Sequence, residues 1–182
     1  MSRNFSIRLL ITGAGALLCS VLNGCATTAG SHRSVATDAV KADLGRFTEL
    51  IVTLDSQQEI PALTASEKER IVNLIKHDIQ TQAPQRFAAI NPQSPGPQAL
   101  KAEVLIKEFE EGNAFARAML AGLGQMHIHA DVRLTDPQTN EVIATHDVEK
   151  TFAWGGIYGA ATRIQDVEVG FAEAVAAAIL EK

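Results

Sequence analysis

Between residues 126 and 152 the chain alternates polar and apolar positions in two runs divided by a turn. Ile128, Ala130, Val132 and Leu134 are apolar where His127, His129, Asp131 and Arg133 are polar, the period-two pattern of a strand with one wet face. Asp136, Pro137, Gln138, Thr139 and Asn140 supply a turn, and Val142, Ala144, Val148 and Phe152 keep the even spacing on the way back. The pattern predicts a hairpin with Leu134 facing Val142 and both apolar sets on one face. In that register His129 opposes Asp147 and His127 opposes Glu149.

The other elements follow from similar signals. Residues 47–54 are rich in Ile, Val, Leu, Thr and Phe and read as a buried strand. Thr64 with Glu67, and Ser66 with Glu69, offer two overlapping capping boxes. They open a helix whose stripe is Ile71, Leu74, Ile75 and Ile79 and which Pro84 bars from continuing. Off that stripe, His77 is expected in solvent. Asn91 to Pro97 is a loop by composition, and Leu100, Ala102, Val104 and Ile106 alternate in a second strand. Strand, helix, strand implies a parallel crossover. Asn113 is placed to cap a short helix, and Trp154 and Tyr158 fall in a glycine-rich loop. A last helix carries the stripe Ile164, Val167, Phe171, Val175 and Ala178, and Gly170 either weakens that helix slightly or lets another segment approach closely. The expected fold is α+β: a four-stranded mixed sheet with both long helices on its apolar face.

The amino terminus changes the picture. Arg3 and Arg8 precede an apolar run from Leu9 to Leu22, the length of a secretory signal rather than of a spanning helix. Leu22-Asn23-Gly24-Cys25 resembles the lipobox of bacterial lipoproteins. The resemblance implies cleavage before Cys25 and its acylation, and Ala26 stands where aspartate marks retention in the inner membrane. Residues 1–24 are therefore expected to be a signal peptide, 25–40 a lipidated cysteine and flexible tether, and 41–182 one periplasmic domain. Cleavage removes two of 16 basic residues and none of 21 acidic ones. The acidic remainder lacks the electrostatic footprint of a nucleic-acid binder, and acyl chains are its expected membrane contact.

Candidate chemistry is sparse. His127, His129, Asp147 and Glu149 have the residue types of a divalent-metal site on the open sheet face, although cross-strand ion pairs are a simpler use for them. His146 falls on the apolar face and is expected to be a core histidine with a hydrogen-bond partner. Glu108 to Glu111 read as a solvated acidic rim. No serine lies in a nucleophile elbow, and Cys25 would be the sole cysteine of the mature chain. By topology, one end of the sheet should gather Asn113, Phe115, Arg117, Met119, Trp154 and Tyr158, types enriched in interfaces and ligand clefts.

Gly112-Asn113, Arg117, Gly122 and Gly124, the alternating strand, the Asp136-x-x-Thr139 turn and Gly155-Gly156 together resemble the DUF4410 family of bacterial lipoproteins, a domain of unknown function. The resemblance runs from about Phe47 to the carboxyl terminus and implies a compartment but no activity. The resulting expectation is a non-enzymatic, cofactor-free lipoprotein of the outer membrane, facing the periplasm, that binds a protein partner in envelope assembly or maintenance. A small-ligand or divalent-metal-binding module is the alternative.

Overall fold

The computed structural model describes residues 29–35, 44–57, 63–120 and 123–181; Cys25, the expected signal peptide and most of the expected tether lie outside these. In chain order the strands are β1 (Ser31–Ser34), β2 (Glu49–Ser56), β3 (Ala89–Ile90), β4 (Ala99–Glu110), β5 (Met126–Asp136) and β6 (Glu141–Phe152). The helices are α1 (Ala65–Gln82), α2 (Ala114–Met119), α3 (Gly156–Ala161) and α4 (Ile164–Leu180). One sheet has the order β1-β6-β5-β4-β2-β3. Its β2 is parallel to β3 and β4, while β4, β5, β6 and β1 pair antiparallel. The α+β class and the parallel β2-α1-β4 crossover are as expected, but the sheet has six strands rather than four.

Both added strands lie at the edges, where backbone pairing needs no apolar alternation. Ser31, His32, Arg33 and Ser34 carry no strand pattern, yet they complete the outer edge of β6, so part of the expected tether belongs to the sheet. At the opposite edge β3 is two residues long. Asn91 prolongs it with its side chain, accepting from the Val52 amide at 2.6 Å and donating to the Val52 carbonyl at 3.1 Å.

The helices form for the expected reasons. Thr64 caps α1 and makes the full box with Glu67. Ile71, Ile75 and Ile79 are buried, and His77 is exposed as expected. In α4 the whole predicted stripe is buried. Gly170 is a point of close approach, because its carbonyl accepts from the Gly30 amide at 2.7 Å. What periodicity did not show is that α4 also buries its flank against α1. There Glu168 is fully buried and takes both guanidinium bonds of Arg70, at 2.7 and 2.8 Å.

The hairpin register differs from the expected one. Thr135 rather than Leu134 faces Val142, and a bulge follows, so that Leu134 pairs with Ala144, His129 with Glu149 and His127 with Thr151. The four-residue turn 137–140 sets this offset, with Asn140 at φ 58°, a conformation Asn tolerates. The extra residue, Ile143, turns into the core and leaves Val142 exposed.

His146 is a core histidine, but neither ring nitrogen has a hydrogen-bond partner among the described residues. Burial holds its pKa below the ordinary imidazole value; nearby Glu181 opposes this and His32 adds to it. The unfolded chain therefore accepts a proton more readily than the folded one. Stability from the neutral ring is complete above the unfolded value of about 6.5 and is lost as pH falls from there through the folded value. His146→Leu should raise stability at pH 8 by about 1 kcal/mol, because two orphaned nitrogens disappear. It should also flatten the loss below pH 6.5, and urea denaturation at several pH values would measure both effects.

Candidate functional site

One end of the sheet gathers α2 and α3, as the hairpin geometry requires. The chain leaves β4 through Gly112, at φ 64°, and enters β5 through Gly124, at φ 70°. A Cβ on Gly112 would lie 2.0 Å from the Gln125 carbonyl oxygen, so no larger residue fits without moving backbone. Asn113 caps α2, its side chain accepting from the Ala116 amide at 2.9 Å. On the return, 156–161 form the short helix α3 where a loop was expected.

Arg117 holds these pieces together from inside. It is buried, and its guanidinium donates to the carbonyls of Gly159 and Gly124, both at 2.8 Å, and of Glu111 and Thr162, both at 3.2 Å. It was a candidate contact residue by sequence, but the structure commits its donors to the backbone. It is a positioning residue, because a planar fork with five donors can bind several converging carbonyls at once.

The apolar side chains around this clasp point outward. Phe115 is 75% exposed and Ile157 91%, and Met119, Leu120, Leu123, Trp154 and Tyr158 are also exposed. Tyr158 stacks edge-on against the core residue Phe152 at 5.8 Å and against Trp154 at 6.0 Å, so the surface is anchored in the core. Of the residues picked out by sequence, Phe115, Met119, Trp154 and Tyr158 are exposed at this end, and Trp154 and Tyr158 are in ring contact. Asn113 is spent on the cap. Leu120, Leu123 and Ile157 were missed: Ile157 lies in a helix too short for its exposed face to be read, and Leu120 and Leu123 follow α2, where no period applies.

The outer sheet face holds the second constellation. His129 Nε2 lies 2.8 Å from Asp147, a diagonal neighbour in the true register, and His127 Nδ1 lies 2.7 Å from Thr151 Oγ1. The bond to His129 is the main cause that holds the Asp147 carboxyl below its ordinary pKa. Glu149 turns away, accepting from Ser31 on β1. In its place stands Glu108, with His127 Nε2 at 3.4 Å and His129 Nδ1 at 3.9 Å. One donor atom from each of Glu108, His127 and His129 lies within 4.8 Å of the others.

A β-bulge puts Glu108 there. Up to Ile106, paired with Ala130, the register of β4 on β5 is regular; Lys107 is then extra, and Glu108 pairs with His129. Without the extra residue Glu108 would face the core. The sequence carries the signal: the even positions from Leu100 to Ile106 are all apolar, and the next apolar residue is Phe109, at an odd position, which packs against the core. Such a phase change marks a bulge.

Comparison with known proteins agrees with this architecture. No curated protein matches the sequence. Among solved structures, the PelC dodecamer from Paraburkholderia phytofirmans has a TM-score of 0.52 at 11% identity, covering 83% of this chain and 96% of that one. A single-substitution variant of the same dodecamer gives 0.51 at 12% identity with the same coverage. Protein XCC0632 from Xanthomonas campestris gives 0.46 at 14% identity, over 85% of this chain and 90% of that one. At such identities the PelC likeness is one of fold. The family model for a domain of unknown function, DUF4410, matches residues 35–156, which is most of the chain and runs from β2 through β6, with α1 and α2 inside it; this chain belongs to the DUF4410 family.

Proposed function

We propose that the protein is a non-enzymatic lipoprotein, anchored in the outer membrane through Cys25 and facing the periplasm, that binds a protein partner in envelope assembly or maintenance through the α2–α3 end of its sheet. The observation that carries this reading is the exposed apolar surface of Phe115, Met119, Trp154, Ile157 and their neighbours, built over a buried arginine clasp. Contiguous exposed apolar patches of this kind mark interaction sites, and aromatic residues and Met are enriched in interface cores.

The lipid anchor rests on the cationic start, apolar run and lipobox resemblance of residues 1–25. Among the described residues no helix is long and apolar enough to cross a membrane, which is compatible with anchoring by acyl chains. The non-catalytic reading rests on the absence of a nucleophile motif in the sequence. Because a chain of similar fold was solved as a dodecamer, a second copy is the first partner to test.

Photo-crosslinking amino acids at Phe115 and Trp154 in living cells, with exposed His77 on α1 as control, would test the reading. A discrete protein adduct from the first two positions and not from His77 is expected, and its mass distinguishes a self-adduct from another envelope protein. Lipid adducts alone, or no adduct from a folded and lipidated protein, would overturn it.

A further inference from the structure

We propose that Glu108, His127 and His129 form a binding site for a divalent first-row transition ion, for which zinc is the natural probe. The proposal is independent of the apolar surface and concerns the open face of the sheet.

Its basis is the way each imidazole is held. His129 Nε2 is engaged by Asp147 and His127 Nδ1 by Thr151, so the remaining nitrogen of each ring is turned toward the same Glu108 carboxylate. If neutral His129 donates its proton to Asp147, its Nδ1 presents a lone pair to a carboxylate oxygen. Two electron pairs facing each other repel unless a cation or a proton lies between them. A carboxylate that orients a histidine from behind is the usual outer partner of a metal-bound imidazole, fixing its tautomer and raising its basicity. Thr151 serves His127 in the same way when its hydroxyl oxygen accepts from Nδ1–H, the tautomer that leaves the Nε2 lone pair to the ion.

Donor type and spacing define the class of ion. Two imidazole nitrogens and one carboxylate oxygen suit zinc and its first-row neighbours better than calcium or magnesium, which favour all-oxygen sites. Ligand atoms around a tetrahedral zinc stand about 3.3 Å apart, from metal–ligand distances of about 2.0–2.2 Å. The three donors here are within 4.8 Å of one another, so closure takes a shift of at most about 1.5 Å. Glu108 can supply it: its side chain is 55% exposed, against 21% and 22% for the two histidines. Three protein ligands leave at least one coordination position to solvent, as in sites that bind an exogenous group rather than closed structural ones.

The bulge supports the same conclusion. It is the one irregularity in the β4–β5 ladder, and its effect is to bring a carboxylate opposite two histidines spaced i, i+2. Lys107, the extra residue, pairs with Asp131, which leaves Glu108 to the histidines.

The test is zinc titration of the full-length protein in detergent by calorimetry, with X-ray absorption at the zinc edge. One equivalent should bind with a first shell of nitrogen and oxygen only. Glu108→Gln should weaken binding about 10-fold or more, and Asp147→Asn about 10- to 100-fold through loss of the outer partner. His127→Ala combined with His129→Ala should abolish it, with His77→Ala unchanged. Circular dichroism melts would confirm that each variant is folded; should the double variant unfold, Glu108→Gln alone decides, because its exposed side chain is not part of the core. No binding at millimolar zinc, binding unchanged in the Glu108 variant, or a sulfur-containing first shell from the chain's cysteines would each overturn the proposal.

Discussion

Replacing Arg70 with alanine is expected to cost about 3–5 kcal/mol, because it leaves the carboxylate of Glu168 inside the protein without a counter-charge. Glu168 lies on the side of α4 that packs against α1 and is fully buried, while Arg70 is 37% exposed and reaches it from the solvent edge. The bidentate bond to Glu168 is the leading cause that raises the already high pKa of Arg70, so the guanidinium stays charged across the accessible range. A domain of this size is typically stable by about 5–15 kcal/mol, and the loss would consume a large share of that. Urea denaturation measures it as a fall in midpoint with unchanged slope. Removing both partners together, as Arg70→Met with Glu168→Met, should come within about 1 kcal/mol of the parent or exceed it, since apolar side chains of similar volume fill the space without desolvating a charge. If the double variant is as unstable as the single one, the pair does more than neutralise itself, and the α1–α4 interface depends on its directional bonds.

The second large effect is expected at Arg117. Arg117→Ala withdraws the donors of four backbone carbonyls, belonging to the end of β4, the entry to β5, α3 and the α3–α4 junction. Each bond from a charged donor contributes about 1.5–3 kcal/mol. Their sum is not the expected loss, because α2 and α3 can open locally and return the carbonyls to water. We expect a fall of about 2–4 kcal/mol in global stability. Amides of α2 and α3 should exchange as though unfolded while those of β4 to β6 remain the slowest. Arg117→Lys should recover less than half, since one ammonium cannot span carbonyls that converge from three elements. Equal stability of the lysine variant would mean that charge rather than the fork is what matters. The same variants test the proposed contact surface: with the clasp gone, crosslinks from Phe115 and Trp154 should fade while the sheet stays intact.

These two residues show where sequence reading stops. Arg70 and Glu168 lie 98 positions apart, on helices whose exposed and buried faces were both assigned by period, and a period has no means of marking the flank where two helices meet. Arg117 looked like an interface arginine because of its neighbours Phe115 and Met119. Its acceptors are backbone carbonyls, which every residue carries and which therefore leave no trace in a sequence. His146 was placed correctly in the core by alternation, but its lack of a partner depends on which side chains surround it.

Strand and helix periodicity, capping residues and turn chemistry were local, so the hairpin, α1, α4, the Asn113 cap, the α+β class and the family resemblance could all be read from the amino-acid order. Register was another matter. A strand shifted by two residues keeps every side chain on its face, so alternation alone could not distinguish the expected pairing from the real one; the length of the turn and two bulges did. The bulge in β4 brought Glu108 to the histidines, and the hairpin offset set Glu149 rather than Asp147 directly opposite His129. The edge strand β1 likewise exists because β6 offers unpaired backbone groups, an attraction independent of side-chain identity. The chain's local patterns thus determine which elements form and which faces they bury. Only their assembly decides which distant residues meet, because contacts made through backbone groups, helix flanks and ladder offsets carry no periodic signal of their own.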